Sequence, residues 1–432
     1  MKTKLISVIL LLIVLSACGR NSAGTNGKQN MPVLNENGKE EITIGLTFIS
    51  DALQETIVNY NKQSDRYEII VYDSLGEISP FEARKRIQLD LANGKGPDVL
   101  SCYVLNDFDM TPYAEDGYLM DITDFAVEYK DLLGCVKDFN SIDGVVYGIP
   151  TAFELETVLV PSKLDISSIS NTKERCMELT QTTKSTFGGD GYNFLEFFGV
   201  GINGIQLFVD EEKEISQFDS KEFIDLLEFA KRYECSDNGM TLQERLLSSA
   251  QIFLTCPIDD FSDFWFHEVL FDEIPTYIGF PSTEGGVNNI CIESFYINSA
   301  TEHEEGAKDF LKFLLSDEQQ RSAFDEGAGF PVRKAVLEKL WDEAKTSPYT
   351  GSSNYIKVEA FGVEFEPRVM RDDDEELFFS MLEGNLIYDF RISVISDIVY
   401  EETAPFFEGK KTAEEVAKII DNRVQLYLDE KK

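Results

Sequence analysis

The sequence predicts an α/β protein of two domains. Between residues 42 and 104, strand-like and helix-like patterns alternate, which implies crossover units on a mostly parallel sheet. The chain beyond residue 40 runs to about 390 residues, more than the roughly 250–300 that one core holds. Its composition, 43% hydrophobic and 27% charged, is that of a globular chain.

Ile42, Ile44, Leu46 and Phe48 alternate with Thr43, Gly45 and Thr47, the period of a half-buried strand. Asp51 and Gln54 are spaced as a capping pair for a helix whose face carries Leu53, Ile57 and Tyr60. Ile69 to Tyr72 reads as a short strand. Ser79-Pro80-Phe81-Glu82 forms a capping box with proline at the first helical position, and Asn93-Gly94 stops that helix. Pro97-Asp98 leads into a strand over Val99 to Val104. Later helices are predicted from Ser220, from a Thr301/Glu304 box, from Ser316/Gln319 and from a Thr412/Glu415 box, each with apolar residues at helical spacing. The run Asp372 to Glu376 reads as a solvated helix start. No internal repeat is evident.

Lys2 and Lys4 precede the apolar run Leu5 to Ala17, which is too short for a bilayer needing roughly 20 residues and fits a secretory signal. It ends in Leu15-Ser16-Ala17-Cys18-Gly19, which resembles a bacterial lipobox; the resemblance implies cleavage before Cys18 and a lipid on its sulfur. The following residues to Lys39 are polar and rich in Gly and Asn, a flexible tether.

The formal charge of −39 argues against nucleic-acid binding and is read as solubility and self-repulsion, with a cationic ligand as the sharper reading. Seven cysteines carry no CxxC pair, so no metal site follows, and no disulfide pairing is assigned; Cys102 and Cys291 read as small core residues. The two histidines, His267 and His303, stand in unrelated contexts, and HExxH, GxSxG, GxxxxGK[ST] and GxGxxG do not occur. No cofactor and no catalytic residue are expected.

Several landmarks occur in a familiar order: Asn59-Tyr60-Asn61-Lys62, then Asp90-Leu91-Ala92-Asn93-Gly94-Lys95-Gly96-Pro97-Asp98-Val99, then Tyr113 to Ile122 with Gly117 and Asp121. Asp143-Gly144-Val145-Val146-Tyr147-Gly148-Ile149-Pro150, Ile278-Gly279-Phe280-Pro281, Ala307 to Leu315 with Glu318-Gln319-Gln320, and Gly329-Phe330-Pro331-Val332 complete the series. Together they resemble bacterial extracellular solute-binding proteins of the sugar-binding, maltose-binding-protein class that serve ABC importers. The chain departs from that pattern after the hinge strand, where Pro161-Ser162-Lys163-Leu164 replaces the usual Tyr-Asn-Lys-Asp and the usual Trp is missing.

The resemblance implies a two-lobe periplasmic-binding-protein-like fold, each lobe a mixed sheet flanked by helices, with two hinge crossings near Gly148–Thr151 and Ile292–Asn298. Residues 1–17 would be the lipoprotein signal, 18–40 the tether, 41–149 with 293–330 the first lobe, and 150–292 with 331–432 the second. It implies a monomer, lipid-anchored on the outer face of the cell membrane, that closes on a carbohydrate and delivers it to permease subunits.

A sugar presents CH faces to aromatic rings and hydroxyls to dense polar partners. In open α/β sheets, ligands sit beyond the carboxyl ends of strands, which points to Phe48 and Asp51 and to Tyr103 and Asn106. Phe153 and Glu154 follow the first crossing, and Glu293 lies near the second. Phe261, Phe264 and Trp265 share helical spacing, with Asp260 beside them, while Phe330 and Arg333 follow the late glycine turn. Phe48 on an apolar alternation and the Phe261–Trp265 stripe fit a core as well as a cleft. The rival functions are a solute sensor, a binder of peptide or polyamine with the same fold, and a secreted glycoside hydrolase, which needs two carboxylates roughly 5–9.5 Å apart.

Overall fold

Buried isoleucines at every second position define the first strand. In the computed structural model, which describes residues 34–46, 49–72, 80–102, 111–164, 166–167, 172–185, 208–210, 213–233, 239–282, 285–349, 366–388 and 394–430, β1 spans Glu40–Gly45 with Ile42 and Ile44 fully buried. α1 (Asp51–Gln63), β2 (Tyr67–Val71), α2 (Pro80–Ala92) and β3 (Val99–Ser101) follow. β2 and β3 pair parallel to β1 on its two sides, so the predicted alternation gives the predicted crossovers. The cap of α1 falls one residue before Asp51: the Leu53 N–H donates to Ser50 Oγ at 3.1 Å, and Asp51 is the first helical residue.

The short helices α3 (Thr111–Glu115), α4 (Thr123–Ala126) and α5 (Gly134–Lys137) lead to a hairpin of β4 (Ser141–Ile142) and β5 (Val145–Val146). Its turn residues Asp143 and Gly144 both have positive φ, 51° and 82°, the conformation that two-residue hairpins require.

Two long strands organise what remains. β6 (Gly148–Val160) precedes α6 (Lys173–Thr183), β7 (Val209–Asp210), β8 (Ile215–Ser216), α7 (Lys221–Arg232), α8 (Leu242–Leu247), β9 (Leu254–Ile258), α9 (Ser262–Phe271), β10 (Thr276–Tyr277) and β11 (Phe280–Ser282). β12 (Gly285–Ile297) then returns antiparallel to β6, in register from Tyr296↔Gly148 to Asn289↔Glu156, with a bulge between Glu293 and Ser294. The last part of β12 pairs with β3, while its first part pairs with β11 and with β14 (Leu386–Tyr388). β6 likewise continues past β12 to pair with β9 and β10. Each long strand therefore belongs to one sheet region at one end and to a second region at the other, which makes the β6–β12 pair the connection between the two lobes.

α10 (Glu304–Leu314), α11 (Asp317–Asp325), β13 (Phe330–Pro331), α12 (Lys334–Ala344), α13 (Asp372–Glu383), α14 (Val394–Phe407) and α15 (Ala413–Glu430) complete the described chain. Ser220, Ser316 and Thr412 cap as predicted; at the last, Thr412 N donates to Glu415 Oε2 (2.9 Å) and Glu415 N to Thr412 Oγ1 (3.2 Å). Thr301 does not make the predicted box, because its hydroxyl is engaged by Asp98 and by the His303 N–H. The acid run at 372–376 starts α13 but is not wholly solvated, since Asp374 is 4% exposed and ion-paired. Among the described residues, no helix is long and apolar enough to cross a membrane.

One core joins Ile42, Ile44 and Val99 to Phe153, Phe261, Phe330 and Trp341; another joins Val158 to Phe223, Val399 and Val424. Gly148, at the start of β6, is fixed by close approach. A Cβ there would lie 2.4 Å from Tyr296 Cε1, and that ring cannot easily retreat because it is fully buried and its hydroxyl donates to Asn140 Oδ1 at 2.7 Å. Gly148→Ala is expected to cost about 1–3 kcal/mol through overpacking, read as a lowered urea midpoint. An unchanged midpoint would show that Tyr296 can move aside.

Candidate functional site

The candidate site is built from the face of the β6–β12 pair that the core leaves partly open. Directly opposed residues in an antiparallel pair share a face. Phe153, Leu155, Ile290 and Ile292 point into the core at 3% exposure or less. The opposite face carries Glu154 across from Cys291, Glu156 across from Asn289, and Glu293 across from Ala152. Glu154, Glu156, Cys291 and Glu293 on it are half-buried.

The bulge after Glu293 brings Thr151 to its carboxylate, and the Thr151 hydroxyl donates to Glu293 Oε2 at 3.3 Å. Burial pushes the Glu293 carboxyl up, the Thr151 hydrogen bond opposes this, and the charge of Glu154 adds to it, so the group titrates at about 7. Asn289 donates to Glu156 Oε2 at 3.2 Å. The end of β3 adjoins this face: burial first, then the charges of Glu293 and Cys291, raise the Cys102 thiol, which a backbone group of Ser294 partly offsets. Gly329, with φ +91°, rides on β6; a Cβ there would sit 2.7 Å from Phe153 O and 3.1 Å from Glu154 Cγ. Chemically, the face offers several carboxylate acceptors with amide and hydroxyl groups beside them, on rigid strands.

Of the expected site residues, Glu154 and Glu293 meet on this face. Asp51 is exposed at the start of α1. Phe48, Tyr103, Asn106 and Cys18 lie outside the described residues. The aromatic expectations are corrected: Phe153 (1% exposed), Phe261 (0%), Phe264 (2%), Trp265 (2%) and Phe330 (0%) are core residues. Phe261 packs edge-on against Trp341 and Phe324, and Phe153 lies tilted against Phe330, so their faces are covered by protein. Asp260 is also buried, and its Oδ1 accepts from the Ser262 N–H at 2.6 Å. It lies with Asp259 and Asp263 in a group whose oxygens are within 4.8 Å of one another, but Asp263 Oδ2 is used to accept from the N–H groups of Asp259 and Asp260 at 3.0 and 3.2 Å, a turn-closing role. Arg333 is held by Asp131 at 2.6 Å and by the Leu315 carbonyl. Cys102 is buried as expected, whereas Cys291 lies on the half-open face.

Thr151, Glu156, Asn289 and Gln320 were not among the site residues expected from the sequence. Polar residues within an apolar strand signal a partly open face, which could have found Glu156 and Asn289; Gln320 sits in an ordinary helical context and carried no such signal. Its amide nitrogen donates to Thr151 O at 2.6 Å and Leu314 O at 3.1 Å, while its oxygen accepts from Val332 N at 2.9 Å. At 2% exposure it stitches α11 to β6 and β13 just behind Glu293. Gln320→Ala is expected to cost about 2–4 kcal/mol by stranding buried backbone groups, measured by chemical denaturation; a loss below about 0.5 kcal/mol would show that water replaces the amide.

Residues 57–348, more than half of the chain, match the family model described as bacterial extracellular solute-binding protein. No curated protein sequence matches. The fold is similar to that of the sugar-binding protein MalE from Xanthomonas citri, 14% identical, TM-score 0.58, covering 90% of this chain and 98% of that one. It is similar to Lmo0181 from Listeria monocytogenes, an ABC substrate-binding protein solved with cycloalternan, 16% identical, TM-score 0.55, covering 90% and 99%. The GacH receptor of Streptomyces glaucescens, solved unliganded and with acarbose, is 15% identical with TM-score 0.52 over 90% and 99%. These likenesses carry the two-lobe α/β fold, and the family match carries the identity: the chain is a member of the bacterial extracellular solute-binding proteins.

Proposed function

We propose that the chain captures a small polar solute, a sugar or oligosaccharide, by closing its lobes, and delivers it to an ABC importer while a lipid on Cys18 holds it at the outer face of the cell membrane. The observation that carries this reading is the polar, half-buried face of the long strands, with Glu154, Glu156 and Glu293 lying where the two sheet regions join and the buried Asn289 donating to Glu156. A solute held there would meet both lobes only when they close, and would shift an open–closed equilibrium by its preference for the closed form. The sugar-binding and ABC names of the similar structures support the cargo and the route.

Calorimetric titration with mono- and oligosaccharides, joined to small-angle scattering, tests it. Micromolar binding, about −8.2 kcal/mol, with contraction of the particle is expected. Tryptophan fluorescence alone is a poor test, since Trp265 and Trp341 are both buried and would report closure at most indirectly. The carboxylates also favour a second reading, a cationic solute such as a polyamine; binding of spermidine with no response to any sugar would replace the first reading by this one. For the anchor, Cys18→Ser is expected to move the protein from the detergent phase to the aqueous phase on partition, and no movement would refute it.

A further inference from the structure

Away from the long strands' open face, three chemistry-bearing side chains meet in the corner between β9, α9 and β10. Cys256 Sγ lies 2.9 Å from Nε2 of His267, and Nδ1 of the same ring lies 2.9 Å from the Tyr277 hydroxyl. His267 is fully buried and Cys256 is 6% exposed, among Leu159, Leu254, Leu270 and Phe271. A thiol, an imidazole and a phenol from three separate elements thus form one chain of contacts, with nucleophile, base and orienting group in sequence.

The contacts accommodate a thiolate paired with an imidazolium. Burial first, then the charges of Cys256, Asp263, Glu268 and Asp374, push the Tyr277 hydroxyl well above its ordinary range, so it keeps its proton. An imidazolium between the two groups satisfies both contacts, with Nδ1–H donating to the Tyr277 oxygen and Nε2–H donating to a thiolate. Of the acids facing this corner, Glu268 and Asp374 are bound by Arg368 and Arg371, and Asp263 accepts from backbone N–H groups. Burial pushes the Cys135 thiol up to about 11 and holds Cys102 and Cys176 above their ordinary range. The chain has only two histidines, and the second, His303, contacts Glu40 at 2.6 Å. Cys102, Cys135, Cys176, Cys256 and Cys291 are not in disulfides.

We propose that Cys256 is a modification site, a thiol that His267 activates toward small hydroperoxides and that is converted to a sulfenic acid. The thiolate sulfur attacks one peroxide oxygen; the S–O bond forms as the O–O bond breaks. The departing hydroxide takes the proton from His267 Nε2 and leaves as water. Sulfur loses two electrons to the peroxide, and a thiol reductant reverses the change. The slight exposure of Cys256 restricts the reagent to molecules of about that size and excludes bulky oxidants.

The test treats the whole folded chain with hydrogen peroxide for timed intervals, removes the peroxide with catalase, then unfolds the chain in dimedone so that the trap reaches every sulfenic acid, and quantifies the adduct at each cysteine by peptide mass spectrometry. Cys256 is expected to label at least about tenfold faster than Cys135 or Cys176, because a base is in contact with its sulfur. His267→Gln is expected to slow Cys256 by about tenfold and to move its pH profile upward. Labelling of Cys256 no faster than Cys176 overturns the proposal, as does an unchanged rate in the folded H267Q chain. Should H267Q fail to fold, Tyr277→Phe, which keeps the ring, takes its place: a slower, displaced Cys256 profile supports the relay, and an unaltered profile overturns it.

Discussion

Asp374→Ala is expected to destabilise the protein by about 3–5 kcal/mol, the cost of removing one partner from a buried ionic group. Asp374 lies at the start of α13 with its side chain 4% exposed. Its oxygens accept from Arg368 at 2.7 and 3.1 Å, from the Arg371 guanidinium at 2.7 Å and from the Arg371 N–H at 2.8 Å. Glu268, on α9, takes the other side of both arginines, at 2.8 Å from Arg368. Two cations and two anions therefore close a neutral quartet between α9 and α13. Without Asp374, two guanidinium groups would share one carboxylate, and the helix would lose an N-terminal acceptor.

The pH dependence of that loss follows from the direction of the Asp374 shift. Burial pushes its carboxyl up, but the hydrogen bonds from Arg368 and Arg371 outweigh burial, and the net position lies below the ordinary 3.8. A depressed folded-state value contributes stability that is fully present above the unfolded value and disappears as pH falls through the folded one. The gap between wild type and Asp374→Ala should therefore be full at pH 7 and should narrow below about pH 4. Urea midpoints at pH 7 and pH 3.5 measure it, and a constant gap would show that the quartet's charge is not what stabilises it.

Asp374 also shows what a local reading of sequence misses. Five consecutive acids signal a helix start, and a helix does start there; which acid turns inward depends on Arg368 and on Glu268 about a hundred residues away. Thr301 and Glu304 have capping-box spacing, yet the hydroxyl answers Asp98 on the β3 approach instead. Thr412 and Glu415 have the same spacing, and there the box forms. Periodicity located the strand–helix–strand–helix–strand start because both of its periods are local. It could not distinguish core from cleft for Phe261, Phe264 and Trp265, since an apolar stripe is equally suited to either and only the packing of Trp341 and Phe330 decides. Glu154 and Glu293 were picked out because they lie at the two expected crossings, and both fall on the incompletely covered face. Their shared face was not legible, because the Thr151–Glu293 contact spans 142 positions and depends on a bulge in register.

That contact makes Glu293 the position where stability and binding should move in opposite directions. Its folded carboxyl titrates at about 7 against an ordinary 4.5. Between these values the folded protein holds a proton that the unfolded chain has released, so stability falls as pH rises through the window and stays low above it. The shift bounds the loss at about 3 kcal/mol, at 1.36 kcal/mol per unit. Glu293→Gln keeps the shape and an acceptor for Thr151 but removes the buried charge. It is expected to stabilise the protein by about 1–3 kcal/mol at pH 8 and by nearly nothing at pH 4.5. A solute whose hydroxyl or ammonium donates to this carboxylate would lose a charge-assisted hydrogen bond of about 1.5–3 kcal/mol, so its affinity at pH 8 should fall roughly ten- to a hundredfold. Denaturation at the two pH values and calorimetric titration of the same preparations separate the two effects. Equal stability gains at both pH values would mean that the carboxyl is not enclosed, and wild-type affinity in a stabilised variant would move the binding surface off this face of β6 and β12.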